Sequence, residues 1–219
     1  MRRTAIVLGA TGLVGNEVLK LLLQDDSFDQ VKIFVRRSLQ FSHPKLREHV
    51  INFNVINDHQ EDIKGDVLFC CIGTTIKTAG SKEAFAQVDE HIPLAFARIA
   101  KQNGLKQFLI ISSLGADKNS SNFYLKVKGE VEAVLETINF ESLIILRPSM
   151  LLGERKEFRL GESIGKFLMK TLSFVFIRKL KKYKAIEAKA VASAMVRLSK
   201  TATANAKIIE SDEIQSIGS

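Results

Sequence analysis

Residues 6–18, IVLGATGLVGNEV, join an apolar run to an amphipathic one through Gly9, Gly12 and Gly15. The run before them, TAIVL (4–8), predicts a first strand. The run after them, GLVGNEVLKLLLQ (12–24), has its apolar residues at helical spacing. A strand, a glycine turn and a helix in that order form a dinucleotide-binding unit. One glycine permits the tight turn, one lets backbone approach a pyrophosphate, and one lets helix and strand pack closely. The helix start then offers free N–H groups and partial positive charge to the phosphates. The spacing is G-x-x-G-x-x-G, and a purely structural strand–helix turn is the alternative reading.

Outward from this turn, apolar β-branched runs alternate with helical patterns. VKIFV (31–35), VINF (50–53), DVLFC (66–70), QFLIIS (107–112) and SLIIL (142–146) read as strands. Residues 81–104 and 122–138 read as helices, with Pro93 kinking or restarting the first of these and Gly104 ending it. Near-continuous apolar strands separated by helices predict a doubly wound parallel α/β sheet covered on both faces. A helix over 185–200 and a short strand, AKIIES (206–211), close the chain. The expected organisation is a single domain, 1–219, with a dinucleotide-binding core over 1–149 and substrate-side and closing elements over 150–219.

Composition narrows the class. The 219 residues are enough for one buried core, and no stretch of 18 apolar residues predicts a transmembrane helix. The N-terminal apolar run is too short for a secretory signal, so a cytoplasmic, reducing location is expected. Cys70 and Cys71 are adjacent in a strand pattern and point to opposite faces, as two small buried hydrophobes. The four histidines show no ligand spacing, and no metal is expected. The formal charge of +8 resides entirely in 155–184, which holds ten Lys/Arg against two acids. Three readings fit that segment: a helix packing Phe167, Leu168, Leu172 and Val175 over the substrate side, a membrane-surface helix, or a docking site for an acidic partner or nucleic acid. Nucleic acid is not the expected partner, and neither substrate nor oligomeric state is written in the pattern.

Two further features point to chemistry. After the second strand stand Arg36 and Arg37, where an acid would bind an unphosphorylated ribose. Two guanidinium groups suit a 2′-phosphate, so NADP(H) is expected over NAD(H); a solvated basic loop is the alternative. The fifth strand ends at Ser112 and Ser113, and Tyr124 and Lys128 follow one helical turn apart. A neighbouring ammonium is expected to lower the phenol pKa so that Tyr124 can exchange a proton with a substrate oxygen. A serine hydroxyl would hold that oxygen, and a solvent-facing Tyr–Lys pair is the alternative.

Together the glycine turn, the serine pair and Tyr-x-x-x-Lys resemble the short-chain dehydrogenase/reductase superfamily. FCCIGTT (69–75), ISSLGADKNSSNFYLKVKGEVEA (111–133) and LRPSMLLGERKEFRLGES (146–163) are similar to an atypical branch of it, the Tat-interacting oxidoreductases. The resemblance runs over nearly the whole chain, weakest around 38–64. It implies a Rossmann-type fold and NADP(H)-dependent oxidoreductase activity on a carbonyl or alcohol. By the same likeness Thr11, Gly12, Leu13 and Val14 would line the pyrophosphate, and Arg36 and Arg37 the 2′-phosphate. Ile72 and Gly73 would lie near the ribose, and Leu151 and Arg159 would close over the nicotinamide. Tyr124 would be the proton donor, Lys128 would also hold the ribose, and Ser113 rather than Ser112 would be the catalytic hydroxyl. Two departures stand out: Asn52 replaces the usual acid near the third strand, and the serine-to-tyrosine gap is short. Some atypical members are cofactor-binding regulators, which makes a non-catalytic NADP(H) sensor acting through a partner the second expectation.

Overall fold

The computed structural model describes residues 3–152, 183–201 and 205–219. Among these, seven parallel strands form one sheet: β1 (Arg3–Leu8), β2 (Phe28–Val35), β3 (Leu46–Val50), β4 (Val67–Cys70), β5 (Gln107–Ile111), β6 (Ser142–Arg147) and β9 (Asn205–Glu210). Their order is β3-β2-β1-β4-β5-β6-β9, with a separate two-strand pairing of β7 (Leu151–Leu152) and β8 (Ile186–Glu187). The strand order reverses between β1 and β4, so the carboxyl ends of these two strands open a crevice.

The period of two along the strands divides the interior into two cores. Ala5, Val7, Val67 and Phe69 face one core, which α1 (Leu13–Gln24), α6 (Ala188–Leu198) and α7 (Ser211–Gly218) cover. Ile6, Leu8, Leu68 and Cys70 face the other, under α4 (Ile92–Gln102) and α5 (Phe123–Ile138). The expected fold class is thus the observed one. On α1 the buried positions Val14, Val18 and Leu22 lie at i, i+4 and i+8. Val18 and Leu22 are fully enclosed, which stabilises the fold by about 1.5–3 kcal/mol each. Cys70 lies in the second core and Cys71 packs against the first. Burial pushes the Cys70 thiol up to about 12, so it acts as a packing residue.

Two elements differ from the predicted ones. The third strand lies at Leu46–Val50, ahead of the apolar run VINF. It is an edge strand, and only Leu46 of its residues is buried, so its hydrophobic signal is weak. Ile51 and Phe53 supply the apolar run from the loop beyond it, packed against the second core. The chain also continues past β9 into α7, whose acids Asp212 and Glu213 in the first turn and whose Ile214 and Ile217 facing the core were the available signal. Arg197 donates to the carbonyls of Ile217 and Ser219 and fixes this helix to α6.

The helical region 81–104 is built in three pieces. After the short α2 (Ile76–Ala79) it starts at α3 (Lys82–Ala86), widens into a π-turn at Gln87–His91, and resumes as α4. Pro93 has no N–H to give, and the Ile92 N–H reaches back to the Gln87 carbonyl instead of one residue nearer. Gly104 ends the helix at φ +82°, as its position predicted.

Candidate functional site

The glycine turn closes against the end of β4. Gly9 sits at φ +78°, and a Cβ there would lie 2.7 Å from the Cys71 carbonyl group and the Ile72 nitrogen. A Cβ on Gly15 would come within 2.1 Å of the Gly9 oxygen. Both positions therefore demand glycine, one for its backbone angle and one for close helix–strand contact. The Gly12 N–H donates to Gly9 at 2.8 Å and completes the turn. Gly12 gives α1 no side-chain cap, and no acid stands in its first turn. By contrast, Asn122 caps α5 by accepting from the Tyr124 and Leu125 N–H groups, and Ser81 caps α3. The α1 start is thus an uncapped, positive helix end at the mouth of the crevice, suited to a phosphate group.

A single cleft of about 1280 Å3 runs from this turn across the carboxyl ends of the sheet. It brings together Gly9, Thr11, Gly12, Leu13, Val14 and Arg36 at one end. Ile72, Gly73, Ser113, Tyr124, Lys128 and Leu151 line the rest. Gly15 lies beneath the turn rather than on the cleft wall, and Arg37 is exposed without lining it. Arg159, Phe167, Leu168, Leu172 and Val175 fall outside the described residues, as does nearly all of the basic segment. Asn52 lines the cleft beside Ile51, Phe53 and Asn54. The glycine cradle and the polar far end fit an extended dinucleotide.

At the far end the two serines have separate roles. The Ser112 hydroxyl donates to Glu132, and Arg147 holds the same carboxylate through Nε at 3.0 Å and through a second nitrogen. This buried network ties α5 to β5 and β6. The Ser113 hydroxyl instead donates weakly to the Leu114 carbonyl at 3.4 Å and, on the cleft wall, acts on the Tyr124 phenol only as a small opposing influence on its pKa. The loop between Ser113 and Tyr124 crosses α5 at Gly129, where a Cβ would lie 2.2 Å from the Lys118 nitrogen. Ser112→Ala is therefore expected to lower stability by about 1.5–3 kcal/mol, the value of a hydrogen bond to a charged group. Ser113→Ala is expected to leave the denaturant midpoint nearly unchanged; paired denaturation curves compare the two.

Tyr124 is half-buried, with its ring 5.6 Å from that of Phe85. Lys128 is only 6% exposed, and its ammonium lies 2.7 Å from the Asp89 carboxylate, itself 1% exposed. Asp89 was missed by motif reading, because it lies on the π-turn, distant in sequence from Tyr-x-x-x-Lys. Its effect corrects one expectation. Burial raises the Tyr124 pKa, and Asp89 adds to that rise; Lys128 and the Ser113 hydroxyl oppose it without prevailing. The phenol is therefore held above its ordinary value rather than lowered. Burial disfavours the Lys128 ammonium, but Asp89 and Tyr124 outweigh it, and the lysine stays charged.

A family model described as NAD(P)H-binding matches residues 9–202. Protein HTATIP2 of Rattus norvegicus is 39% identical over 168 residues, 75% of this chain and 69% of its own length. Protein FMP52, mitochondrial, of Candida albicans is 36% identical over 168 residues, 74% of this chain and 73% of its own. Among solved structures, the oxidoreductase ylbE of Lactococcus lactis superposes with a TM-score of 0.69 at 16% identity, covering 98% of this chain and 94% of that one. That likeness speaks for the fold alone. The yeast relative's name overturns the expectation of a purely cytoplasmic protein. A short apolar N-terminal run carries no information on destination. No helix among the described residues is long and apolar enough to cross a membrane.

Proposed function

The chain belongs to the NAD(P)H-binding family that matches most of its length, and from that premise we propose that it is an NADP(H)-dependent oxidoreductase acting on a carbonyl or alcohol. The observation that carries this reading is convergence: the glycine cradle and the Ser113, Tyr124 and Lys128 side chains line one cleft. Thr11, Gly12, Leu13 and Val14 would hold the pyrophosphate, Ile72 and Gly73 would border the ribose, and Leu151 would face the nicotinamide. When bound, the nicotinamide supplies or accepts the hydride. Ser113 orients the substrate oxygen by hydrogen bonding. Tyr124 donates its hydroxyl proton to that oxygen in the reductive direction. Lys128, fixed by Asp89, would hold the ribose hydroxyls.

Arg36 supports the preference for NADP(H), since it borders the cleft just beyond the end of β2. Arg36→Ala is expected to weaken NADPH binding by about 10- to 100-fold, the value of a charge-assisted contact. NADH binding should change little, and Arg37→Ala should have a smaller effect than Arg36→Ala. Calorimetric titration with both cofactors reads this; equal affinity of the parent protein for NADPH and NADH would sink the assignment.

One observation favours a second reading, a cofactor-binding regulator without turnover. Lys128 is already engaged by the buried Asp89 carboxylate at 2.7 Å, which leaves less of its charge to activate the phenol. Tight NADPH binding that leaves the reduced cofactor unconsumed by aldehydes and ketones would select it.

A further inference from the structure

We propose that Asp89 is a positioning residue of this site, whose buried carboxylate holds the Lys128 ammonium and sets the net charge that the Tyr124 phenol feels. The inference deepens the oxidoreductase reading, in which Tyr124 and Lys128 are the working couple.

The placement begins with Pro93. The π-turn that precedes it puts Asp89 on the cleft wall while Ile92 and Phe96 stay in the core beneath. A carboxylate at such depth needs partners for both oxygens; here one has a hydrogen bond and the other an ion pair without an aligned hydrogen bond. Oδ2 accepts the Thr74 N–H at 2.7 Å, and Oδ1 lies 2.7 Å from Lys128 Nζ. Asp89 thereby ties three elements together: the turn that follows β4, the π-turn, and the first half of α5. Lys128 can point its charge at only a few places, and Asp89 fixes which.

The electrostatic consequence follows from proximity. Among the described residues, the charged and titratable groups facing the phenol are Lys128 on its own helix, Asp89 on the π-turn and the Ser113 hydroxyl beyond β5; the Cys70 thiol of β4 acts on Lys128. A lone ammonium in that setting would stabilise phenolate. Paired with a carboxylate it presents a near-neutral dipole, and burial then decides the outcome. The couple is thus set for a tyrosine that starts protonated and gives its proton away.

The chain makes this directly measurable, because it holds two tyrosines and no tryptophan. In a Tyr183→Phe background, Tyr124 is the sole phenol, and its ionisation is read from phenolate absorbance against pH. No cofactor or substrate is needed, so failure here is distinguishable from failure of the oxidoreductase reading, which NADPH binding and consumption test separately. The parent variant is expected to ionise above the ordinary value of about 10. A midpoint below that value would show the lysine field unopposed and overturn the proposal. Adding Asp89→Asn keeps the shape and removes the charge, and the midpoint is expected to move down. An unchanged or higher midpoint in a folded Asp89→Asn protein would overturn it equally. If that variant fails to fold, the parent titration still decides.

Discussion

Tyr124→Phe is expected to slow reduction of an accepted carbonyl by about 10²- to 10⁴-fold, the range that general acid catalysis contributes. Binding of NADPH should remain within a few-fold, since the substitution removes one hydroxyl and keeps the ring that packs on Phe85. Stability should change by about 1 kcal/mol or less, because the substitution removes one hydroxyl on the cleft wall and keeps the packed ring. The loss should therefore appear in turnover and not in folding. The pH dependence has a definite sign. Because burial raises the phenol pKa, Tyr124 should be protonated throughout the neutral range. Reduction, which consumes that proton, should be flat through neutral pH and fall only in alkali; oxidation, which needs the phenolate, should rise with pH. Single-turnover rates over a pH series measure both. Undiminished turnover in the phenylalanine variant would remove Tyr124 from the chemistry.

Gly15→Ala should fail at an earlier level, the fold of the cradle. The added methyl would lie 2.1 Å from the Gly9 oxygen, and that oxygen belongs to backbone that cannot swing away. Either α1 shifts off β1 or the turn opens. Overpacking of this kind costs about 1–3 kcal/mol, lowering the melting temperature by about 2–4 °C for each kcal/mol in a chain of this size. Any shift of α1 also moves the N–H groups of Leu13 and Val14, so NADPH affinity should drop by at least tenfold. A denaturant midpoint and a cofactor titration on the same sample read the two effects. Wild-type values for both would mean that helix and turn are not in the contact drawn here.

The features legible in the sequence were those with a local cause. The glycine turn could be read because each glycine answers a backbone requirement within a few residues of itself. The central strands could be read because they are buried on both faces and carry unbroken apolar runs. The edge strand β3 could not, since LREHV has one buried residue and the next apolar run, in a loop, has a stronger signal. Asp89 was illegible for a different reason. A buried carboxylate has the same letter as a solvated one, and only the fold brings it to Lys128, 39 positions away. Glu132 and Arg147, which claim Ser112 and leave Ser113 to face the phenol, were hidden likewise. Spacing correctly paired Tyr124 with Lys128 on one helix face. It misjudged the phenol because burial, which spacing does not reveal, outweighs the lysine, and Asp89 from another element adds to it.

The most direct test of the central claim is the fate of NADPH bound to the wild-type protein when it meets a panel of aldehydes and ketones, followed by the absorbance of the reduced nicotinamide. Stoichiometric loss of that absorbance with at least one carbonyl class is expected. NADPH that stays bound and reduced across the whole panel would contradict it.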